Sequence, residues 1–245
     1  MKFAVLLLLL NSSTFVFSQK LQMHYDLRHT TDPKHTQKNF PSVYFEYFKS
    51  QDSGTSFIKP GSFLFKTQAD LSGTKNNIGQ FYMQVSQSFR CWKPKIFVQL
   101  QYSGGLGIAG PGSYGFYISN AFSLGLGHPF QWKNAWFNIY ACYTYNSFKK
   151  PSHDILTSFY WWKGLLNYKI QFAGDFSLWT ISRNHGDAFT AGLHGKKISF
   201  YGEPQAWYNI SKNFSAGSKI NLYYHVLTDD NRLQVYPTAA VMYHF

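Results

Sequence analysis

Apolar and polar residues alternate along most of this chain with a period of two, which is typical of β-strands whose two faces meet different environments. Phe45 and Tyr47, for example, flank Glu46. Clusters of turn-forming residues separate the alternating segments, and the pattern predicts twelve strands. The predicted strands are Leu21–Arg28, Phe40–Lys49, Ser62–Leu71, Gln80–Arg90, Ile96–Ser103, Tyr114–Leu126, Ala135–Asn146, Asp154–Trp162, Lys169–Ile181, Ile198–Asn209, Phe214–His225 and Leu233–Phe245.

This succession of strands predicts an all-β fold, a single antiparallel transmembrane β-barrel. An even strand number suits such a barrel, with both chain ends on the periplasmic side. The strand lengths fit the 9–11 residues, approximately, that a tilted strand needs to cross a bilayer. Closure would also remove the exposed edges of so many aromatic-rich strands. A secreted soluble β-sandwich is the competing interpretation.

The first residues have the pattern of a secretory signal peptide. Lys2 provides the basic region, Phe3–Leu10 is an apolar core too short to span a bilayer, and the stretch Phe15–Ser18 ends in a small residue before Gln19. We expect cleavage after Ser18, which gives a signal peptide (residues 1–18) and an outer-membrane β-barrel (residues 19–245). A buried N-terminal helix is the alternative.

Composition supports an exported barrel and changes the expected partners. The chain is 20% aromatic and 14% charged, with a mean hydropathy of −0.27, as expected where apolar and polar positions alternate in a barrel wall. The net charge of +12 admits nucleic acid as a partner in principle. After export, we expect outer-membrane lipids, lipopolysaccharide and polar solutes instead, and no nucleic acid. Cys91 and Cys142 form no recognisable disulfide framework.

The last predicted strand ends in an aromatic residue. Tyr243 and Val241 alternate with His244 and Ala240 before the terminal Phe245. Such a strand resembles the signal that outer-membrane assembly machinery reads, so we expect that machinery as a partner and Phe245 as the assembly signal. An ordinary edge strand that happens to end in phenylalanine is the alternative.

Four segments carry a family resemblance. They are Phe89–Lys93, Gln101–Gly105, Gly202–Asn209 and Pro237–Val241, of which the third, with its Glu-Pro-Gln-Ala-Trp-Tyr-Asn string, is the most specific. Together they resemble an uncharacterised family of outer-membrane proteins similar to Tsx, the nucleoside-specific channel. The resemblance covers residues 21–245 and implies a twelve-stranded barrel whose narrow lumen binds nucleosides as they pass. The sequence departs from the family pattern near Gln101 and Lys219, where acidic residues are replaced.

Nucleosides need aromatic rings for stacking and carboxylates or amides for their hydroxyl groups and base edges. The inward faces of the predicted strands offer both, and one row on strand ten combines Glu203, Gln205, Trp207 and Asn209, with Pro204 marking a bend. The predicted solute-binding residues are Glu46, Asp70, Tyr82, Arg90, Asp175, Trp179, Glu203, Gln205, Trp207, Lys219 and Asn221. We predict a channel for passive diffusion of nucleosides or similar small polar solutes.

Two alternatives remain open from sequence. A closed structural or surface-binding barrel would use the same inward side chains to fill its interior and pair their charges. A membrane hydrolase would need a nucleophile and a base, and His153, His185 and His194 lie near Ser152 and Ser182 in or beside outer loops, without a nucleophile motif. The histidine spacings match no standard metal site. We therefore predict no enzyme activity, no metal and no cofactor.

Overall fold

The computed structural model describes residues 17–50, 57–109 and 114–245. The expected signal peptide lies outside these residues, except for Phe17 and Ser18, which begin the first strand. Parts of the predicted connections Ser50–Gly61 and Gly104–Ser113 also lie outside them. Cleavage after Ser18 stays a prediction.

Strands account for most of the described chain. In chain order the elements are β1 (Phe17–Asp26), α1 (Arg28–Thr31), β2 (Phe40–Lys49), β3 (Lys59–Asp70), a 3-10 turn (Thr74–Asn76), β4 (Gln80–Arg90), β5 (Phe97–Ala109), β6 (Tyr114–Trp132), β7 (Ala135–Asn146), β8 (Ser152–Leu165), β9 (Ile170–Ser182), β10 (Lys196–Gly202), β11 (Gln205–Asn209), β12 (Phe214–Tyr224) and β13 (Gln234–His244). Among the described residues, no helix has the length and hydropathy needed to cross a membrane.

The strands form one closed antiparallel sheet. β1 closes the ring by pairing with β13, with Leu21 opposite Tyr243. β10 and β11 both pair with β9 on one side and with β12 on the other, so they are two halves of one wall strand. The wall therefore has twelve strands, which confirms the predicted all-β antiparallel barrel.

The break between β10 and β11 falls at Glu203 and Pro204. Because proline has no N–H to donate, the ladder is interrupted at the position where the sequence predicted a bend. The backbone at the break remains hydrogen-bonded to both neighbouring strands. The Glu203 N–H donates to the Asp175 carbonyl of β9 (2.9 Å), and the Pro204 carbonyl accepts from the Ile220 N–H of β12 (3.0 Å). The expected continuous strand Ile198–Asn209 was wrong at this one point.

Three predicted strands, β2, β4 and β7, have the bounds that alternation indicated. β5 is longer than predicted because its glycine-rich end continues to Ala109 and pairs with the beginning of β6, and β6 continues past Leu126 to Trp132, where it pairs with β7. Glycine carries no side chain to reveal a period of two, so the sequence pattern could not distinguish this stretch from a loop. The predicted connection Gly104–Ser113 is therefore strand over its described part.

Ile118 lies on a different face from the one predicted. Strict alternation along the predicted strand Tyr114–Leu126 places it outward with Phe116 and Phe122, whereas in the structure it contacts the interior cavity near the outer mouth. The register of β5 against β6 shifts between Gly105 and Leu106, which leaves Ile118 as an extra residue in β6. Such a bulge reverses the alternation locally.

The barrel has an apolar outside and a polar inside. Outward residues such as Leu124, Tyr143 and Ile155 are more than half exposed, at 53%, 52% and 63%. Inward positions hold buried polar residues, including Gln84 and Ser123. This reversal of the arrangement in a soluble protein is what a wall surrounded by lipid requires.

The two ends of the barrel differ. At the end where β1 begins and β13 ends, here called the inner end, the Phe245 N–H donates to the Gln19 carbonyl (3.2 Å). A two-residue hairpin joins β6 and β7 at this end, and both of its residues, Lys133 and Asn134, adopt the positive φ that such tight turns need. Longer connections, including α1 and residues 183–195, lie at the opposite, outer end.

Candidate functional site

Among the described residues, two adjoining cavities lie on the barrel axis, and a third, of about 440 Å³, lies beside the inner one and shares Ser62 and Trp136 with it. An inner chamber of about 350 Å³ lies toward the inner end, and an outer chamber of about 230 Å³ lies toward the outer end. Five side chains line both chambers and therefore mark the level at which they meet. This central girdle consists of Tyr44, Lys66, Tyr140, Asp175 and Glu203.

Lys66 crosses the lumen. It projects from β3, and Asp175 projects from β9, which is six wall strands away in either direction around the barrel. The Lys66 Nζ nevertheless lies 3.6 Å from Asp175 Oδ1 and 3.4 Å from Glu203 Oε1. Opposite walls are thus joined through the interior by one side chain.

A second ammonium group completes the charge balance of the girdle. Lys219 Nζ lies 3.1 Å from Glu203 Oε2, donates to Gln68 Oε1 (3.3 Å) and sits over the Tyr44 ring at 5.0 Å. The Tyr201 hydroxyl donates to the same Glu203 oxygen (2.7 Å). Two cations and two carboxylates therefore neutralise one another in a buried cluster, as buried charges must.

Neutral hydrogen bonds cover the other side of the girdle. The Tyr140 hydroxyl donates to Gln101 Oε1 (2.9 Å) and lies 3.1 Å from the Tyr160 hydroxyl. Gln84 Nε2 also donates to Gln101 Oε1 (3.0 Å) and contacts the Tyr160 hydroxyl at 3.4 Å. Amides and phenols thus continue the polar ring around the wall.

The local fold explains how Glu203 reaches the centre. Its strand is interrupted at Pro204, so the Glu203 backbone is bonded to β9 alone at that point. Across the break on β9 lies Gly174, and a Cβ there would approach the Glu203 carbonyl to 2.7 Å and the Trp161 ring to 2.6 Å. A residue without a side chain is therefore needed at Gly174 for the break to close against β9.

Indole rings and amides line the inner chamber. Gln205 and Trp207 follow Glu203 along the wall, and Gln205 Oε1 accepts a hydrogen bond from Trp207 Nε1 (3.0 Å). The predicted row on strand ten thus faces the chamber as far as Trp207. Asn209, the last member, is bonded to Gln171 (3.0 Å) and Ser215 (2.6 Å).

Predicted residues also meet in the outer chamber. Asp70, Tyr82 and Trp179 all line it. Asp70 is buried, and its Oδ1 accepts a hydrogen bond from Gln68 Nε2 (2.8 Å). Asn221 is also buried, and its Oδ1 has no hydrogen-bond partner among the described residues.

Two further predicted residues, Glu46 and Arg90, lie toward the inner end of the barrel. Glu46 lines the inner chamber, where it accepts from the Tyr44 hydroxyl (3.0 Å) and lies 3.5 Å from Lys20 Nζ. Arg90 lies at the inner end of β4, and its guanidinium donates to the carbonyls of Trp92 (3.0 Å) and Lys93 (2.6 Å) in the next turn. Arg90 therefore stabilises that turn and lines neither chamber.

The sequence did not indicate several residues of the site. Strand eight was apolar on both faces, so its inward side could not be assigned, yet Leu156, Tyr160 and Trp162 line the chambers. Alternation along β3 indicates that Lys66 faces inward but indicates no partner for it. Cross-lumen pairs depend on how the sheet closes, and no spacing along the chain encodes that closure.

Among the described residues, no hydrogen bond joins His153 or His185 to a serine hydroxyl. The Ser152 hydroxyl donates to the Asp154 carboxylate (2.5 Å), and the His185 ring stacks on Phe148 with centroids 4.2 Å apart. Burial lowers the pKa of His185, and the hydrogen bond to the Ser182 backbone opposes this change. In the described parts of the chain, no three acidic, histidine or cysteine side chains are grouped as metal ligands would be.

An ionic contact ties two outer connections together. Asp32, just after α1, lies 2.6 Å from His35 Nδ1 and 3.1 Å from Arg232 in the connection before β13. The hydrogen bond from His35, with the charge of Arg232, lowers the pKa of the Asp32 carboxyl from its ordinary value. The contact fixes one side of the outer mouth.

Comparison with solved structures finds other barrels. The KdgM porin is 7% identical, with 92% of this chain and 99% of that chain covered and a TM-score of 0.49. The NanC porin is 10% identical, with 93% and 99% covered and a TM-score of 0.49. OmpF of Salmonella typhi in complex with daunomycin is 9% identical, with 94% and 97% covered and a TM-score of 0.46.

Sequence comparison identifies a family. No curated protein matches the chain. The model of a family described as "Domain of unknown function (DUF5020)" matches residues 18–245, which is almost the whole barrel. The chain therefore belongs to the DUF5020 family.

Proposed function

We propose that this protein is an outer-membrane channel for passive diffusion of nucleosides or similar small polar solutes, exported through a signal peptide that is cleaved after Ser18. The observation that carries the proposal is a closed barrel with an apolar outer face and two polar chambers on its axis. An apolar outside suits contact with outer-membrane lipids and lipopolysaccharide, and a polar lumen offers an aqueous path. The barrel-assembly machinery would insert such a wall.

The lining of the chambers supports small solutes with flat rings and hydroxyl groups. Trp207 and Gln205 in the inner chamber, and Tyr82 and Gln84 in the outer chamber, pair an aromatic surface with an amide. Rings stack on bases, and amides bind hydroxyl groups and base edges.

The central girdle sets the limit on passage. A solute that moves from one chamber to the other must displace the Lys66 side chain from Asp175 and Glu203. Opposed charges across a narrow lumen also create a transverse field that orients polar solutes. We therefore expect a narrow conductance and a strong dependence on solute size.

Planar-bilayer recordings test the proposal. The purified full chain should produce discrete conductance steps, and adenosine or thymidine should reduce the current in a concentration-dependent manner. Liposomes that contain the protein should take up adenosine faster than liposomes without it. Asp187→Asn, a change in an exposed outer connection, serves as the matched control and should leave both readouts unchanged.

The same recordings address the second candidate function, a closed structural or surface-binding barrel. The specific observation in its favour is the cross-lumen contact of Lys66, which separates the two chambers. Absence of conductance steps together with liposomes impermeable to adenosine would establish the closed barrel and exclude the channel. Conductance that nucleosides never reduce would exclude nucleosides as the solute.

A further inference from the structure

Asp70 differs from the other buried carboxylates because no cation contacts it, and the charges of Arg28 and Lys219 act on it only from beyond 4.0 Å. Asp26 pairs with Arg28, and Asp154 with Lys196. Asp175 and Glu203 share the two lysines of the girdle. Among the described residues, Asp70 is the one buried carboxylate that no lysine, arginine or histidine approaches within 4.0 Å, although it is only 7% exposed.

The position of Asp70 is favourable for a ligand. Its carboxylate lines the outer chamber, and its one hydrogen bond comes from the neutral Gln68 amide (2.8 Å). A buried carboxylate that no cation contacts is costly, and a cation placed beside it is stabilised. The structure thus leaves the contact position beside Asp70 open to a cationic solute, with Arg28 and Lys219 farther away.

The opposite wall of the outer chamber is apolar. Asp70 lies four residues beyond Lys66 along β3, and Trp179 lies four residues beyond Asp175 along β9. Because Lys66 and Asp175 meet at the girdle, Asp70 and Trp179 stand at a similar height, roughly 13 Å of strand above it, on facing walls. Leu156, Ile181 and Phe148 extend the apolar wall around Trp179.

Aromatic rings flank the carboxylate. Tyr82 on β4 and Tyr223 on β12 line the same chamber and lie on the two sides of β3 around the wall. The faces of such rings attract an ammonium group in addition to the carboxylate. The polar side of the chamber is therefore built for a small organic cation as well as for a hydrogen-bonding group.

From this arrangement we infer that the outer chamber binds small amphipathic amines, with the ammonium group at Asp70 and the aromatic or alkyl part against Trp179. The inference rests on the proposed channel function, since a solute reaches Asp70 through the outer mouth. It narrows the class of solute: a protonated amine is preferred to a neutral or anionic molecule of the same shape. The chamber volume of about 230 Å³ admits a single-ring amine.

Three isosteric probes test this inference by calorimetric titration of the detergent-solubilised full chain at neutral pH. Phenethylamine is cationic, 2-phenylethanol is neutral and phenylacetate is anionic, while their rings and chain lengths match. We expect phenethylamine to bind at least roughly tenfold more tightly than the other two, as a charge-assisted contact in a buried site provides. Equal affinities for the three probes would overturn the inference.

Variants test whether Asp70 and Trp179, on the two facing walls, cause the preference for the amine. Asp70→Asn keeps the shape of the side chain and should abolish the preference for the amine over the alcohol. Trp179→Ala should weaken the binding of the amine and of the alcohol equally. Asp187→Asn, which removes an exposed carboxylate outside the chamber, should change neither. A preference for the amine that persists in Asp70→Asn would also overturn the assignment.

Measurements of binding and of conductance test this inference and the proposed function separately. Titration measures occupancy whether or not the lumen conducts, so amine binding without conductance would reject the channel and retain the site. Conductance without a preference among the probes would retain the channel and reject the site. Heat-modifiable migration of each variant in gel electrophoresis checks that the barrel is folded, so loss of binding is not confused with loss of structure.

Discussion

Glu203 shows how one side chain organises the centre of this lumen. Each of its carboxylate oxygens lies near a different lysine, Lys66 at 3.4 Å and Lys219 at 3.1 Å. Tyr201 adds a hydroxyl donor. A carboxylate with this many donors holds its neighbours in fixed positions, and the two lysines meet there although they belong to β3 and β12.

Replacement of Lys66 is predicted to open the girdle. Lys66→Met removes the ammonium group that joins β3 to Asp175, so single-channel conductance should increase and selectivity should shift toward cations. The uncompensated carboxylates should also destabilise the barrel by about 3–5 kcal/mol in urea unfolding. Conductance steps and reversal potentials in a salt gradient measure the first two effects.

Lys20→Met is the matched control for Lys66→Met. Lys20 also pairs with an inward acid, Glu46 at 3.5 Å, but at the inner mouth and with 20% of its side chain exposed. Its removal should leave the conductance close to that of the unmodified protein. If Lys66→Met and Lys20→Met behaved alike, the girdle would not be the constriction.

Acidification should release the contact between the outer connections. The His35 hydrogen bond and Arg232 lower the pKa of Asp32, and a carboxyl whose pKa falls on folding stabilises the native contact above its ordinary pKa of 3.8. That stabilisation is lost as the pH falls through the lowered pKa. Current noise from the outer mouth should therefore rise only below pH 3.8.

The variant Asp32→Asn should show the same noise at neutral pH, because it lacks the charge that holds Arg232. Asp230→Asn, a change in the same connection as Arg232, serves as control. Noise that rises equally at neutral pH in both variants would mean that general loop charge, and not the Asp32 contact, is responsible.

At the scale of elements, the interrupted wall strand is the feature with the most consequence. The break between β10 and β11 turns Glu203 into the lumen, and Gly174 on β9 permits the close approach. Gly174→Val is predicted to destabilise the barrel by about 1–3 kcal/mol, because its side chain would overlap the Glu203 carbonyl. Urea unfolding monitored by tryptophan fluorescence measures this.

Gly115→Ala is a suitable comparison for Gly174→Val. Gly115 also lies in a strand, and a Cβ there would meet no atom within 4 Å. Its substitution should leave the unfolding midpoint nearly unchanged. Equal midpoints for the two variants would show that the wall adjusts at the break without cost.

Alternation along the chain was enough to predict the strands, and their faces, wherever both faces carry distinct side chains. β2, β4 and β7 are of this kind. The prediction failed where side chains gave no contrast: the glycine-rich end of β5, the bulge at Ile118, and β8 with apolar residues on both sides. In each case the extent of the strand, or the face on which its residues lie, depends on backbone pairing with a neighbouring strand. The local sequence does not encode that pairing.

The candidate site was predictable only as a set of inward residues. Asp70, Asp175, Glu203 and Lys219 were all placed inside by alternation, and all are buried there. Which of them meet was not predictable, because contacts between opposite walls follow from strand number and stagger. The unpaired state of Asp70 is likewise a property of the closed barrel.

At the scale of the whole molecule, the protein is basic, but positive and negative charges nearly balance inside the barrel. The net charge is +12, yet at the girdle Lys66 and the adjoining Lys219 balance two acids, and most other buried charges are paired. The excess positive charge therefore lies largely on the connections and chain ends. Such a distribution suits attraction to anionic headgroups at the membrane surface without repelling cations from the lumen.

The end of the chain closes the barrel, and its role can be tested separately from transport. β13 pairs with β1 and β12, while Phe245 follows the strand, is 64% exposed and packs edge-on against Tyr243 at 5.1 Å. An exposed ring adds little to folded stability, so Phe245→Ala should refold in detergent with a nearly unchanged urea midpoint. In cells, the same variant should reach the outer membrane in reduced amount, because the ring is the predicted assembly signal.

Cell fractionation with quantitative immunoblotting measures the amount of inserted barrel, and Tyr243→Ala gives the comparison. Tyr243 lies within the β1–β13 pairing, opposite Leu21, so its loss should lower the unfolding midpoint as well as the amount inserted. Normal insertion of Phe245→Ala would remove the terminal ring as an assembly signal. A large loss of refolded stability in Phe245→Ala would instead make the ring part of the closing seam, with β13 held by its last residue as well as by its ladder.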